Sequence, residues 1–320
     1  MNAINGHLTG IHHITSGVSG AQEDVDFFTK ILGQRMIKQT VLFDGENPVY
    51  HLYYGSQDAQ AGSIMTTLPF KDIGYKGRKG SGQISAVAYA IPPGSMTFWE
   101  QRLSLHLIKP ITKKYKFGAE YIEFEHPSGL VFELTESEVN DIQGWVTDEI
   151  HDDHAIRGIF GVTLSVRDYT EQARFFTDGL KMTLAAEDGA YQRFHIGAGG
   201  PQRTIDVLYD PSLPQGTWGF AQGIVHHIAF AVETEKEQLE IKEHLVGLGF
   251  PDVSEIKDRN YFHSIYVRSP GGVLIEFATS DIGFCIDETP QALGSNLMIP
   301  PWWKDKESEF MDKLEKIKID

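Results

Sequence analysis

The sequence predicts an α+β fold made of four strand–helix–three-strand modules with mixed, curved sheets. Internal repetition is the first sign, because a strand, a helix and further strands recur four times along the 320 residues. The second is a near copy: Gly10-Ile11-His12-His13-Ile14-Thr15 returns as Gly223-Ile224-Val225-His226-His227-Ile228-Ala229. Each is a run of branched and apolar residues behind a glycine, the composition of a strand. The third is Pro270-Gly271-Gly272-Val273-Leu274-Ile275-Glu276-Phe277-Ala278, a turn opening into an apolar strand with one carboxylate inside it.

In the first module a strand at 11–17 leads into a helix at 21–32, where Val25, Phe28 and Leu32 recur at helical spacing. Gly33 suits its C-cap, and strands at 36–41, 49–55 and 64–68 follow. The second module opens with a strand at 84–91, continues with a helix at 96–107, and has strands that include 121–125 and 130–134. The third has a strand at 159–166, a helix at 170–180, and strands near Leu184 and at 191–196 and 204–209. The fourth opens with the strand of His226 and His227, followed by a helix at 235–248. Its remaining strands lie near 254–257 and at 261–268 and 273–279. A three-residue turn at 270–272 sets residue 269 opposite 273, and hence Tyr266 opposite Glu276. The acidic, aperiodic stretch 137–157 reads as a linker. It divides the chain into an N-terminal domain, 7–136, holding modules one and two, and a C-terminal domain, 158–285, holding modules three and four. Residues 286–320, with Pro300-Pro301-Trp302-Trp303 ahead of a charged helix, form a C-terminal arm.

Composition narrows the function classes. Apolar residues make up 41% and aromatics 11%, enough for a large core, and 44 acidic against 28 basic residues give a formal charge of −16. That charge argues against nucleic acid or an anionic membrane as partner. Cys285 alone cannot form an internal disulfide, which suits a reducing cytosol, and between Phe284 and Ile286 it reads as a small apolar filler. No signal peptide or membrane-spanning run is visible, so a cytoplasmic protein is expected. The Gly-rich basic connector 74–82 lacks the spacing of a phosphate loop.

The chemistry lies in the duplicated histidines. On strand alternation, His227 shares a face with Ala229 and Ala231, and His13 shares one with Thr15 and Gly17. The second histidine of each pair therefore looks across a surface of little bulk. Glu276 needs a partner, because an unpaired buried carboxylate is very costly. Two imidazoles and a carboxylate from separate strands are the facial set that holds non-haem Fe(II) with open positions, and the same donors accept Mn(II). A lone strand histidine is more often a satisfied core residue; the duplicated pair plus Glu276 shifts the balance to a metal. Units two and three keep Glu133 but have Ser85-Ala86 and Gly161-Val162 where the histidines would stand. One working site and one vestigial counterpart are expected if units one and four share a cavity, and Glu133 then needs another partner.

With these residues in place the chain resembles the vicinal-oxygen-chelate superfamily, which includes glyoxalases, bleomycin resistance proteins and type I extradiol dioxygenases. Within it the chain is similar to the hydroquinone and chlorohydroquinone 1,2-dioxygenases. The resemblance rests on His12-His13-Ile14-Thr15, Pro48–Gly55, Met65–Phe70, Gly80–Tyr89, Gly223–Ala229, Tyr261–Arg268 and Pro270–Glu276, spread over nearly the whole chain. It implies His13, His227 and Glu276 as Fe(II) ligands, and His12, Thr15, His226, Arg259 and Tyr266 as catalytic residues around the substrate. Strand alternation points His12 and His226 away from the metal, so that implication requires a bend or bulge. It further implies a ring-cleaving dioxygenase acting on a small aromatic diol with O2, in a class that often pairs subunits, so a homo-oligomer is expected. Asp258, Asn260 and His263 depart from the chlorinated-substrate members and bear on the substrate rather than the metal. Two rivals share the fold: a glyoxalase-like isomerase or thiol transferase, for which only Glu123 and Glu125 offer a fourth ligand, and a non-enzymatic protein that binds aromatics. Arg259 could alternatively be a surface cation paired with Asp258.

Overall fold

The computed structural model describes residues 4–42, 48–71, 75–138 and 141–319. Gly74 of the basic connector, residues 139–140 of the acidic linker and Asp320 of the arm lie outside the described residues. Module one runs β1 (Gly10–Val18), α1 (Ala21–Val25, continued by a π-helical turn Asp26–Ile31), β2 (Arg35–Val41), β3 (Tyr50–Gly55) and β4 (Ile64–Pro69). Module two comprises β5 (Gln83–Ile91), α2 (Met96–Leu105), β6 (Ile111–Lys116), β7 (Ala119–Glu125) and β8 (Val131–Glu136). Module three has β9 (Ile159–Val166), α3 (Thr170–Arg174, with a π-helical turn Phe175–Gly179), β10 (Thr183–Asp188), β11 (Tyr191–His195) and β12 (Thr204–Tyr209). Module four has β13 (Ile224–Val232), α4 (Glu235–Gly247), β14 (Lys257–Asp258), β15 (His263–Arg268) and β16 (Leu274–Thr279). The four modules thus form the α+β fold expected.

Local chemistry sets the ends of these elements. Thr234 caps α4 in a reciprocal box with Glu237. Gly33 ends the first helical segment at φ +62°, a left-handed conformation that favours glycine, and a Cβ there would press on the terminal methyl of Ile150. The turn at 270–272 closes as the spacing predicts: the Ser269 N–H donates to the Val273 carbonyl, and Tyr266 pairs with Glu276.

Strand pairing links the modules across the two halves of the sequence. Module one joins module four through the antiparallel β1–β13 ladder, and module two joins module three through β5–β9. The two assemblies touch at Val225↔Ile84 and merge into one curved sheet system of sixteen strands. The main core lies between the helices and the sheets, filled by Phe27, Phe28, Trp99, Phe132, Phe175 and Phe176. A smaller cluster of Ile37, Tyr53, Ile64, Tyr261, Phe262 and Phe284 lies within the module one and four cup. Among the described residues no helix is long and apolar enough to cross a membrane. Cys285 differs from its expected role: it is exposed on a short turn, Phe284–Ile286, that buries Phe284 instead.

The two assemblies repeat one register. Thr15 pairs with His227 and Thr163 with Ala86. Glu276 lies beside Ala229 and Glu133 beside Ala88, while Thr66 lies beside Thr15 and Asp206 beside Thr163. Glu133, Thr163 and Asp206 therefore occupy the places of Glu276, Thr15 and Thr66. The ammonium of Lys116 fills this second cup, 2.6 Å from Glu133 Oε2 and 3.2 Å from both Thr163 Oγ1 and Asp206 Oδ2. Arg193 closes the network on Asp206 at 2.7 Å. Glu133 thus has the partner it required.

Removing the cation should expose the cost of two buried carboxylates. Lys116→Met is expected to lower unfolding stability by about 3 kcal/mol, read from urea midpoints. A loss under about 0.5 kcal/mol, the range of ordinary surface substitutions, would show that the network contributes little.

Candidate metal centre

Both histidine pairs sit where the β1–β13 ladder slips. Between Ile11↔Phe230 and His13↔Ala229 the extra residue is His12; between Thr15↔His227 and Ser16↔Val225 it is His226. A β-bulge sets two residues against one and re-aims the side chains around it. The bend that plain alternation lacked is therefore present at both pairs. Each first histidine lies Nδ1 to Nδ1 against the second, at 2.9 Å for His12–His13 and 2.8 Å for His226–His227.

Glu276 reaches the same spot from β16. Its Oε2 lies 2.8 Å from Nε2 of His227 and 3.5 Å from Nε2 of His13, and the two Nε2 atoms are 3.3 Å apart. All three side chains are buried. Oε1 accepts from the Ser264 hydroxyl, whereas Oε2 accepts no hydrogen bond despite its short distance to His227. Two imidazole nitrogens and a carboxylate oxygen thus converge closely enough to share one cation. Where the second histidine of each pair donates its Nδ1–H to the first, its Nε2 is bare and able to bind a cation. Among the described residues no fourth His, Cys, Asp or Glu joins the group. Glu123 and Glu125 pair instead with Lys114 and Lys79.

The centre forms the floor of a cavity of about 340 Å³, lined by Thr15, His51, His226, Arg259, Phe262 and Tyr266 among others. Arg259 turns inward rather than pairing with Asp258 at the surface: its Nε–H donates to the Tyr266 hydroxyl at 3.0 Å, and its guanidinium lies 5.3 Å from the ring centre. Phe220 stacks on His226 at 3.6 Å with the rings 12° apart. His12 lines a separate cavity of about 70 Å³ with Tyr261 and Phe284, so it reaches the centre from behind, through His13. Two contributors escaped the sequence reading. Ser264 orients Glu276, and His51 enters the cavity wall from β3. The signal for His51 was alternation in Tyr50–Tyr54, which places it on the face of Tyr53 and opposite Leu52.

Electrostatics keep His12, His226 and His227 neutral and the Glu276 carboxylate charged. Burial, then His13, pushes His12 down to about 3; burial, then His227, pushes His226 down to about 2. Burial also lowers His227. On Glu276 burial opposes the charge, but His13 and His227 outweigh it and hold the carboxyl well below its usual range. Burial and then Glu276 raise the Tyr266 phenol, which stays protonated. One buried carboxylate with two imidazoles is a donor set for a divalent cation.

These shifts fix a sign. Imidazoles in the unfolded chain take protons below about pH 6.5, which the folded chain refuses until much lower pH. Unfolded protein then binds more protons, so stability rises with pH across that window. The metal-free protein should show falling urea midpoints from about pH 7 to pH 4; a flat profile would contradict the shifts.

Comparison with known proteins places this geometry. Residues 158–277 match the model of the Glyoxalase/Bleomycin resistance protein/Dioxygenase superfamily. The chain is 38% identical over 306 residues to a chlorohydroquinone/hydroquinone 1,2-dioxygenase of Sphingobium indicum, covering 95% of each chain. It is 37% identical over 305 residues to MhqO of Bacillus subtilis, provisionally named a ring-cleaving dioxygenase, again over 95% of each. The crystal structure of a Bacillus subtilis protein provisionally named a dioxygenase superposes with a TM-score of 0.92 at 34% identity, over 98% of both chains. Glyoxalase I of Zea mays, at 14% identity and a TM-score of 0.60 over 84% of this chain and 92% of its own, shares the fold alone. The chain belongs to the glyoxalase, bleomycin resistance protein and dioxygenase superfamily, alongside its ring-cleaving dioxygenases.

Proposed function

We propose that this chain is an Fe(II)-dependent ring-cleaving dioxygenase that opens hydroquinone-type aromatic diols with O2, working in the cytoplasm as a homo-oligomer. The observation that carries the reading is the convergence of two imidazole nitrogens with a carboxylate oxygen that accepts no hydrogen bond, under a cavity roomy enough for a substituted six-membered ring. The relative from Sphingobium indicum, named for action on hydroquinone and chlorohydroquinone, supports the substrate class. His13, His227 and Glu276 would hold the metal, and Mn(II) fits the same donors. Bound there, Fe(II) supplies neighbouring open positions for a phenolic oxygen and O2, and a path for electrons from ring to O2.

The remaining steps belong to the protein's own groups. Ring opening between a hydroxylated carbon and its neighbour builds negative charge on oxygen, and donors already aimed at it stabilise that charge. The Tyr266 oxygen receives Nε–H from Arg259, so its own O–H is available to an oxygen in the cavity. Arg259 adds a fixed positive charge on the same side. His226, its pKa pushed down to about 2, stays neutral, half-buried and held flat against Phe220. Near pH 7 it therefore serves as a hydrogen-bond partner through Nε2, the nitrogen not tied to His227, rather than as a proton carrier. His12 acts only through His13, fixing the orientation of that ring.

Protein prepared without air and loaded with Fe(II) is expected to consume O2 with hydroquinone or chlorohydroquinone at an oxygen electrode. Absence of uptake with these and with catechol would overturn the reading, and conversion of a thiol hemiacetal in its place would indicate an isomerase. His227→Ala is expected to lose bound iron while keeping its fold, which a passive aromatic-binding protein would not require. Tyr266→Phe should keep iron and lower kcat by roughly 10²-fold, the usual effect of one lost donor to a developing oxyanion.

A further inference from the structure

The module-one wall of the cavity carries polar groups that this scheme leaves unused. Tyr53 and Thr66 are fully buried and Thr15 is nearly so, while His51 reaches the cavity. Their polar atoms form one continuous chain. The Tyr53 hydroxyl lies 3.1 Å from Nδ1 of His51, Nε2 of His51 lies 3.0 Å from Thr66 Oγ1, and Thr66 Oγ1 lies 2.8 Å from Thr15 Oγ1. The sheet registers that build it are Tyr53↔Thr66 and Thr66↔Thr15.

Distances alone leave the direction of these bonds open; counting protons settles it. Tyr53 packs against Tyr261 and Phe284, away from water, and burial raises its phenol well above the usual range, so the proton stays on. His51 is its one hydrogen-bond partner among the described residues. Tyr53 must therefore donate, because accepting would strand a buried O–H, which costs more than a formed bond gains. Nδ1 of His51 is then the acceptor, and the single proton of the neutral ring sits on Nε2. Burial, with His13, His227 and Arg259 nearby, keeps that ring neutral. Nε2–H donates to Thr66, whose own proton has Thr15 as its remaining acceptor. The proton of Thr15 is left for the cavity.

We propose that Tyr53, His51 and Thr66 are positioning residues, a one-way buried relay that makes Thr15 a hydrogen-bond donor to an ionised or acceptor oxygen of the cavity ligand. Resting on the reading of the cavity as a diol site, this favours a ring carrying a phenolate or carbonyl-type oxygen beside Thr15 over one offering an O–H or N–H there. In the mirrored cup the ammonium of Lys116 donates to the counterpart of Thr15, so that position already serves as an acceptor when nothing upstream directs it.

Nitrogen-15 NMR of the imidazoles in the full-length, metal-free protein tests the relay directly, with His51 assigned by comparison with His51→Gln. A proton on Nε2 and a bare Nδ1 are expected, shifting to a mixture of tautomers in Tyr53→Phe. A proton on Nδ1 in the unsubstituted protein would overturn the proposal. The second arm uses 4-nitrophenol, whose absorbance reports its ionisation, bound to the Fe(II)-loaded protein under nitrogen. Tyr53→Phe and Thr15→Val should weaken binding of the phenolate roughly tenfold, the usual factor for one hydrogen bond to a charged group, while Thr15→Ser retains it. Unchanged binding in Thr15→Val would rule out Thr15 as the donor. The expected tautomer without any binding of nitrophenolate to the unsubstituted protein would uphold the relay and count against the aromatic reading instead.

Discussion

A single carboxylate, buried where strands of the first and last modules meet, sets the terms for the rest of the molecule. Taking a carboxylate out of water costs several kcal/mol even after the surroundings relax, and Glu276 has only one of its two oxygens satisfied, by Ser264. The features around it answer that cost. The bulges at His12 and His226 bring neighbouring imidazoles into line, and their Nδ1 contacts leave the Nε2 atoms of His13 and His227 facing the open oxygen. On the proposed reading a divalent cation held by these three residues would neutralise the charge, beside the cavity that the same residues line.

The mirrored half supplies an internal control on this argument. The same backbone register there holds Glu133, Thr163 and Asp206, and no imidazole stands near them in the places of His13 and His227. The fold answers the same burial cost there with an ammonium on a flexible side chain, Lys116, and with Arg193 on Asp206. On the proposed reading a cation is constant across the duplication, covalently part of the chain in one half and exchangeable in the other.

Much of this was legible in the sequence, for definite reasons. The repeated His-His strand and the Pro270–Gly272 turn identified β1, β13 and β16, and hairpin arithmetic placed Tyr266 opposite Glu276. The helices and most strands followed from periodicity, which is a local property. Partner choice is not local: pairing of module one with module four depends on contacts more than 200 residues apart, such as Gly10↔Ala231, and no local pattern encodes it. Bulges were equally invisible, because a one-residue slip reverses every facing assignment that alternation makes. His51 went unnoticed as a solitary strand histidine, and the inward turn of Arg259 depends on Tyr266, a residue seven positions away across a bend.

The claim that His13, His227 and Glu276 share one ion is open to direct observation. Crystals grown without air in the presence of Fe(II) can be measured at wavelengths on either side of the iron absorption edge. An anomalous peak within bonding distance of both Nε2 atoms and a Glu276 oxygen is what this account predicts. A peak bound elsewhere on the chain, or none at that point in crystals that contain iron, would contradict it.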